Sequence, residues 1–100
     1  MNVLTITALA NTEVFVPVFA FANGARFDPS AWTVDVATRL INTTTPLSYS
    51  AGAWELDNLG VQCAKKTLNL AVGRYDLWHR VNTPSGIWAQ QTGVVVVVAP

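Results

Sequence analysis

Apolar and polar residues alternate along much of this chain, with a period close to two. In the segment 32–41, Trp32, Val34 and Val36 fall on one side of an extended backbone and Asp35 falls on the other. Because successive side chains of a strand point to opposite faces, this pattern predicts a β-strand with one face in the core. The other predicted strands are 3–9, 14–21, 53–56, 66–72 and two long strands within 73–100.

Turn-forming residues separate these strands, and no segment shows the period of a helix. Gly, Pro, Asn and Asp recur between the apolar runs at the spacing of about 8–12 residues that is typical of a β-sandwich. The one helical candidate is a short turn at 61–66. We therefore predict an all-β protein, a sandwich of about seven strands in a single domain, 1–100. A small β-barrel is the alternative fold.

Two of the predicted strands are apolar on both faces. The strand 14–21 is almost entirely aromatic or β-branched, and residues 94–98 are all valine. A sandwich buries one face of each strand, and leaving a Val or Phe exposed forgoes about 1.5–3 kcal/mol of burial free energy. We expect a neighbouring subunit to cover the second face, and Pro17 places the first of these strands at a sheet edge or a bulge. The contact residues predicted on these strands are Phe15, Phe19, Val95 and Val97.

The composition favours a protein that functions within an assembly. Apolar residues make up 51% of the chain and charged residues only 12%, about half the share of an ordinary globular domain. The formal net charge is zero and the basic residues form no stripe, so we expect no nucleic-acid partner. We also expect neither a signal peptide nor a membrane partner. The N-terminal residues lack a basic leader before an apolar block, and no apolar run reaches the ~20 residues of a membrane-spanning helix.

The chain offers few residues for catalysis or metal binding. His79 is the only histidine, and the alternation places it on the core face as a packed structural residue. Cys63 is the only cysteine and is typical of a small buried side chain. A zinc site needs three or four ligands, and no serine lies in a nucleophile-elbow context. Glu55 and Asp57 share a face but are typical of solvated surface charges. We therefore predict no enzymatic activity, no metal site and no cofactor.

The tryptophans are stronger candidates for a binding role. Trp32 belongs to the core face, whereas Trp78 points outward beside Arg80. Such a Trp is either a surface aromatic covered by the Arg stem or an anchor in a protein interface, where Trp and Arg are enriched. Trp54, Trp78 and Trp88 could instead form a stacking surface for a carbohydrate. We add Trp78, Arg80 and Trp88 to the predicted contact surface.

Residues 73–81, GRYDLWHRV, have the pattern of a known kind of strand. A Gly, one residue, a Tyr and then alternating apolar positions resemble the penultimate strand of immunoglobulin-like sandwiches, in which the Tyr bonds back to the nearby backbone. Tyr75 holds that position here. The chain has no Cys pair, so it is not an antibody-type domain. The resemblance implies an immunoglobulin-like β-sandwich.

The longer arrangement adds a Pro-containing turn, then Gly93 and a β-branched final strand. Over about the last third of the chain it resembles small immunoglobulin-like structural proteins of tailed bacteriophages, most closely those of phages that infect actinobacteria. Such proteins sit on the virion as capsid decorations, head–tail pieces or minor tail parts. The resemblance implies a virion protein, made in the host cytoplasm and present in many copies. Its implied partners are the major capsid protein or neighbouring copies.

Three functional hypotheses follow from these observations. The leading one is a non-enzymatic capsid decoration or cement protein that binds the coat shell through its apolar surface and the Trp78/Arg80 patch. The second keeps the virion but places the protein at the head–tail junction or in the tail. The third is of another class, a carbohydrate-binding module that uses the exposed tryptophans.

Overall fold

The computed structural model describes residues 2–22 and 24–100, and this part of the chain is built from β-strands without a helix. The strands are β1 (Asn2–Thr7), β2 (Thr12–Pro17), β3 (Ala20–Ala22), β4 (Ala25–Phe27), β5 (Thr33–Leu40), β6 (Ser50–Ala51), β7 (Ala53–Leu56), β8 (Gln62–Leu68), β9 (Gly73–Thr83) and β10 (Gly86–Val98). The all-β prediction is confirmed.

Two packed sheets form an immunoglobulin-like sandwich. One sheet has the order β1-β10-β9-β5-β6 and the other has the order β2-β8-β7, while β3 and β4 form a separate hairpin. All pairings are antiparallel except that of β1 with β10, which is parallel. The order of β5, β9 and β10 and that of β2, β8 and β7 match the C-F-G and B-E-D strands of immunoglobulin domains. The short strands β3, β4 and β6 are additions to the predicted set of about seven.

The core lies between the two sheets and is dominated by valine. Val16, Val34, Val36, Val81 and Val95 are its largest fully buried side chains. They come from both sheets, because each strand turns every second side chain inward. Burying each of these side chains contributes about 1.5–3 kcal/mol relative to exposing it. The core also contains Ile6, Ala8, Val14, Val18, Ala64, Leu68, Tyr75, Leu77 and Val97.

The long hairpin of β9 and β10 decides which valines of the final strand are buried. A bulge between Gln91 and Gly93 shifts the register, so that Val95 lies opposite Tyr75. Val95 and Val97 therefore face the core and are 0% and 2% exposed. The prediction that these two residues form a contact surface is wrong. Val98, on the opposite face of the strand, is exposed instead.

Other differences from the predicted strands have local causes. The strand predicted at 14–21 ends at Pro17, and the last backbone bond to β8 runs from the N–H of Val18 to the oxygen of Gln62 at 3.0 Å. A second strand, β3, begins at Ala20. The helical turn considered at 61–66 is wrong, because β8 occupies Gln62–Leu68 and pairs with β2 on one side and β7 on the other. Pro17 does lie on an edge strand, as predicted, since β8 is the one sheet partner of β2 within residues 2–22 and 24–100.

Candidate interaction surface

A row of exposed apolar side chains runs along β2 and into β3. We call Phe15, Pro17, Phe19 and Phe21 the aromatic ridge. The three Phe side chains are 47%, 55% and 60% exposed, whereas the alternate residues of the same stretch are buried. The ridge thus occupies the outward positions of the stretch 15–21, whose inward positions fill the core. The Arg26 guanidinium lies 5.6 Å from the centre of the Phe19 ring and leaves most of that ring accessible.

The ridge borders a cleft of about 640 Å³ between β2–β3 and the β9–β10 hairpin. Its lining residues are Pro17, Phe19, Phe21, His79, Gln90, Gln91 and Thr92. A smaller gap, lined in part by Phe15, Pro17 and Leu4, continues from it toward β1. The cleft is open to solvent, and none of its lining residues carries a formal charge at neutral pH. The surface offers apolar contact and uncharged hydrogen-bonding groups.

His79 is the titratable residue of the cleft. It is 6% exposed, and its Nδ1 atom is buried without a hydrogen-bond partner among the described residues. Burial holds the pKa of His79 below its usual value of 6.5, because the charged imidazolium is poorly solvated there. The predicted burial of this residue on the core face is confirmed. The ring is therefore neutral at pH 7 and is a hydrogen-bonding group rather than a charge.

Trp88 lies close to the cleft on the β9–β10 hairpin. It pairs with Val81, two residues before Gln90, and thus shares the side of β10 that faces the cleft. Its ring meets that of Trp32 edge to face, with centroids 5.8 Å apart and planes at 80°. Trp88 is exposed, and this edge-to-face contact stabilises the orientation of its ring.

Trp78 and Arg80 lie on the opposite face of the five-stranded sheet. Arg80 Nε donates to Asp35 Oδ2 at 2.7 Å, and its guanidinium lies 4.4 Å from the centre of the Tyr49 ring. Asn82 donates to the same carboxylate oxygen at 3.0 Å. These two hydrogen bonds hold the pKa of Asp35 below its usual range, and the bond from Asn82 has the larger effect. Arg80 is thus engaged within the molecule.

The segment between β5 and β6, residues 41–49, contacts this outer face. The Arg39 guanidinium donates to the backbone oxygen of Thr45 at 3.1 Å, and Tyr49 meets Arg80. Ala37 is buried although its side chain points to the outer face, and the indole of its cross-strand neighbour Trp78 is half-buried. The chain's own segment 41–49 therefore covers part of this face.

Trp54 is also used internally. Its indole N–H donates to the backbone oxygen of Trp32 at 2.7 Å, and its side chain packs against the core from β7. Trp54 and Trp78 are both half-buried, whereas a carbohydrate platform requires an exposed ring face. Of the three tryptophans considered for that role, Trp88 alone is exposed.

The remaining chemical candidates have structural partners. Cys63 is buried, and burial together with the nearby charges of Asp57 and Glu55 raises the pKa of its thiol. The Asp57 carboxylate accepts from the backbone N–H groups of Leu59 and Val61, which fixes the turn before β8. Glu55 is 3.8 Å from Lys65 in an exposed ion pair.

No three His, Cys, Asp or Glu side chains in residues 2–22 and 24–100 converge on a point that could hold a metal ion. The same part of the chain contains no helix of the length and apolar character needed to span a membrane.

The chain matches no family model, no curated protein and no solved structure. The geometry of its own residues therefore carries the functional argument. The predicted contact residues divide among four places. Phe15 and Phe19 lie on the ridge, Trp88 lies near the cleft, Trp78 and Arg80 lie on the outer face, and Val95 and Val97 lie in the core.

The sequence did not indicate that Phe21 and Gln90 belong to this surface. It also did not indicate that the cleft reaches the buried ring of His79. Phe21 could have been included, because it continues the alternation of Phe15 and Phe19. Gln90 could not, since its position beside the ridge depends on how the two sheets pack.

Proposed function

We propose that this protein is a non-enzymatic structural component of a phage virion, a capsid decoration module that attaches to the coat shell through the aromatic ridge. The observation that carries the proposal is the contiguous exposure of Phe15, Phe19 and Phe21 on one edge of the sandwich. Exposed apolar residues that form one patch mark protein contacts far more often than single scattered ones do.

The energetics of the ridge support a contact with protein. Burying one Phe side chain completely contributes about 1.5–3 kcal/mol, and each ridge Phe still exposes about half of its surface. Three such side chains provide several kcal/mol on docking, less the cost of ordering the partner. Aromatic residues concentrate in the fully buried centre of interfaces, and charged residues are depleted there. The ridge and its cleft have this composition.

The virion setting is supported by the resemblance of residues 73–98 to phage proteins together with the immunoglobulin-like strand order. The low charge of the chain is also suited to a protein surrounded by neighbouring subunits.

The proposal is tested by binding the purified chain to phage particles from which it has been stripped. We expect Phe19→Ser combined with Phe21→Ser to weaken co-sedimentation with particles at least tenfold, the equivalent of about 1.4 kcal/mol. Val72→Ser is the matched control, because Val72 is 61% exposed in the loop between β8 and β9 and lines no part of the cleft. Circular dichroism verifies that each variant is folded. Undiminished binding of the double variant would overturn the role of the ridge.

The location on the virion is decided by copy number. An antibody against the chain, used on purified particles, should detect it in proportion to the coat protein if it decorates the shell. A head–tail junction or minor tail protein would be present at the level of a single ring or less. Absence of the chain from the particles would overturn the virion proposal as a whole.

A further inference from the structure

The open edge of β1 is a second surface with no assigned role. Within the described part of the chain, β1 ends the five-stranded sheet, and β10 is its single partner. Edge strands usually carry a charge, a proline or a bulge that prevents pairing with other chains. The strand Asn2–Thr7 carries none of these. The other edges are protected, since β2 ends in Pro17, β7 carries Glu55 and β6 is two residues long.

The hydrogen-bonding direction of β1 follows from one bond at its end. The backbone N–H of Ala8 donates to Val98 on β10 at 2.8 Å. In a parallel pair, alternate residues direct both their N–H and their C=O to the same neighbour. Asn2, Leu4 and Ile6 therefore face β10, and the backbone groups of Val3, Thr5 and Thr7 point toward the open edge.

We propose that two copies of this chain pair through β1, antiparallel and related by a twofold axis at Thr5. This register places Thr5 opposite Thr5 of the second copy, and Val3 opposite Thr7. Each of these residues then exchanges both its N–H and its C=O with its counterpart, so every open group of β1 is satisfied. Within the described residues, a register centred on Leu4 would provide no counterpart for Thr7.

The side chains of β1 suit a partner identical to itself. An isologous pair places each residue near its own copy, so a charged strand would repel itself, whereas this one carries no charge. In the Thr5-centred register, Leu4 lies opposite Ile6 on the core side of the joined sheet. Val3, which is 63% exposed, lies beside Thr7 of the second copy and close to its Val98.

The geometry also limits the assembly to two copies. The far edge of the same sheet is β6, which is too short to extend a ladder, so pairing at β1 closes instead of forming a filament. A six-residue strand buries less than the ~1,000 Å² of a stable interface. The dimer is therefore weak and forms at high local concentration, as between neighbouring copies on a surface. This pairing does not depend on the proposed virion function, since it requires neither Phe19 nor Phe21.

The test uses opposite charges at the twofold axis. Thr5→Lys and Thr5→Glu each place like charges against each other in the pair, and sedimentation velocity over a concentration series measures the dimer. We expect the parent chain to dimerise reversibly and each variant to require at least a tenfold higher concentration. An equimolar mixture of the two variants should recover dimer at the parent's concentration, because Lys then meets Glu. Recovery also excludes misfolding as the cause of the loss.

Thr67→Lys is the matched control, because Thr67 is an exposed Thr on the central strand of the other sheet. It should dimerise as the parent does. The proposal is overturned if the parent stays monomeric throughout the series, if either Thr5 variant dimerises as the parent does, or if the mixture stays monomeric. A monomeric parent that still binds particles would reject β1 pairing and leave the proposed function intact.

Discussion

The Tyr75 hydroxyl ties the start of β9 to the chain that leads into it. It donates to the backbone oxygen of Ala71 at 3.0 Å, while the ring fills part of the core. We expect Tyr75→Phe to lower the free energy of unfolding by about 1–2 kcal/mol, since the ring still packs but the carbonyl of Ala71 loses its donor. Urea unfolding monitored by tryptophan fluorescence measures the loss.

Tyr49→Phe provides the comparison for that variant. Tyr49 is half-buried and its hydroxyl makes no hydrogen bond to the described residues, so we expect a change within about 0.5 kcal/mol. Its ring remains in place beside Arg80 in the variant. Equal effects of the two substitutions would show that the Tyr75–Ala71 bond is not a specific source of stability.

The pairing of β5 with β9 is reinforced on the outer face of the sheet by the Asp35–Arg80 ion pair. Arg80→Ala removes a 2.7 Å hydrogen bond to a carboxylate whose side chain is mostly shielded from solvent. We expect it to lower the free energy of unfolding by about 1–2 kcal/mol, less than a fully buried pair because Arg80 is partly exposed. Arg80→Ala should therefore weaken the fold itself, besides any effect on binding.

Arg74→Ala is the matched control, on the same strand and the same face, because Arg74 is exposed and forms no ion pair within the described residues. It should change the unfolding free energy by less than about 0.5 kcal/mol. The double variant Asp35→Ala with Arg80→Ala should cost clearly less than the sum of the two single changes. Strict additivity would mean that the two residues do not stabilise each other.

At the scale of elements, periodicity predicted the strands whose two faces differ. The segment 53–56 coincides with β7, and 32–41 extends β5 by one residue at each end. Periodicity could not orient residues 94–98, because both faces of a valine run are apolar, and the orientation depends on a bulge in register with β9. It also could not show that residues 41–49 lie against Arg39 and Arg80, since that contact is made by a segment without regular structure.

At the scale of the whole molecule, three surfaces with different chemistry surround one core. The aromatic ridge is apolar and open, the β1 edge offers unpaired backbone groups, and the outer face of the large sheet is polar and internally bonded. The Trp/Arg patch that sequence alone favoured belongs to the third surface, where its Arg is already occupied. We therefore place the two proposed contacts on the first two surfaces.

The stability of the folded molecule should depend on pH through His79. Since its pKa in the folded protein lies below 6.5, the unfolded chain binds a proton more readily once the pH falls below 6.5. We expect the free energy of unfolding to be constant above that pH and to decrease below it, by about 1.4 kcal/mol for each pH unit until the folded-state pKa is reached.

Urea unfolding between pH 7 and about pH 5 measures this slope. This window lies well above the pH range in which Asp35 titrates, because the pKa of Asp35 is lowered from 3.8. His79→Gln replaces the titrating ring by a neutral amide and should flatten the slope in this window. Among the residues that line its cleft there is no carboxylate that could stabilise the protonated ring and cancel the effect. If the slope is equal in the parent and in His79→Gln, its origin lies outside the cleft. If the unfolding free energy of the parent does not change with pH in this window, the folded protein solvates the imidazolium.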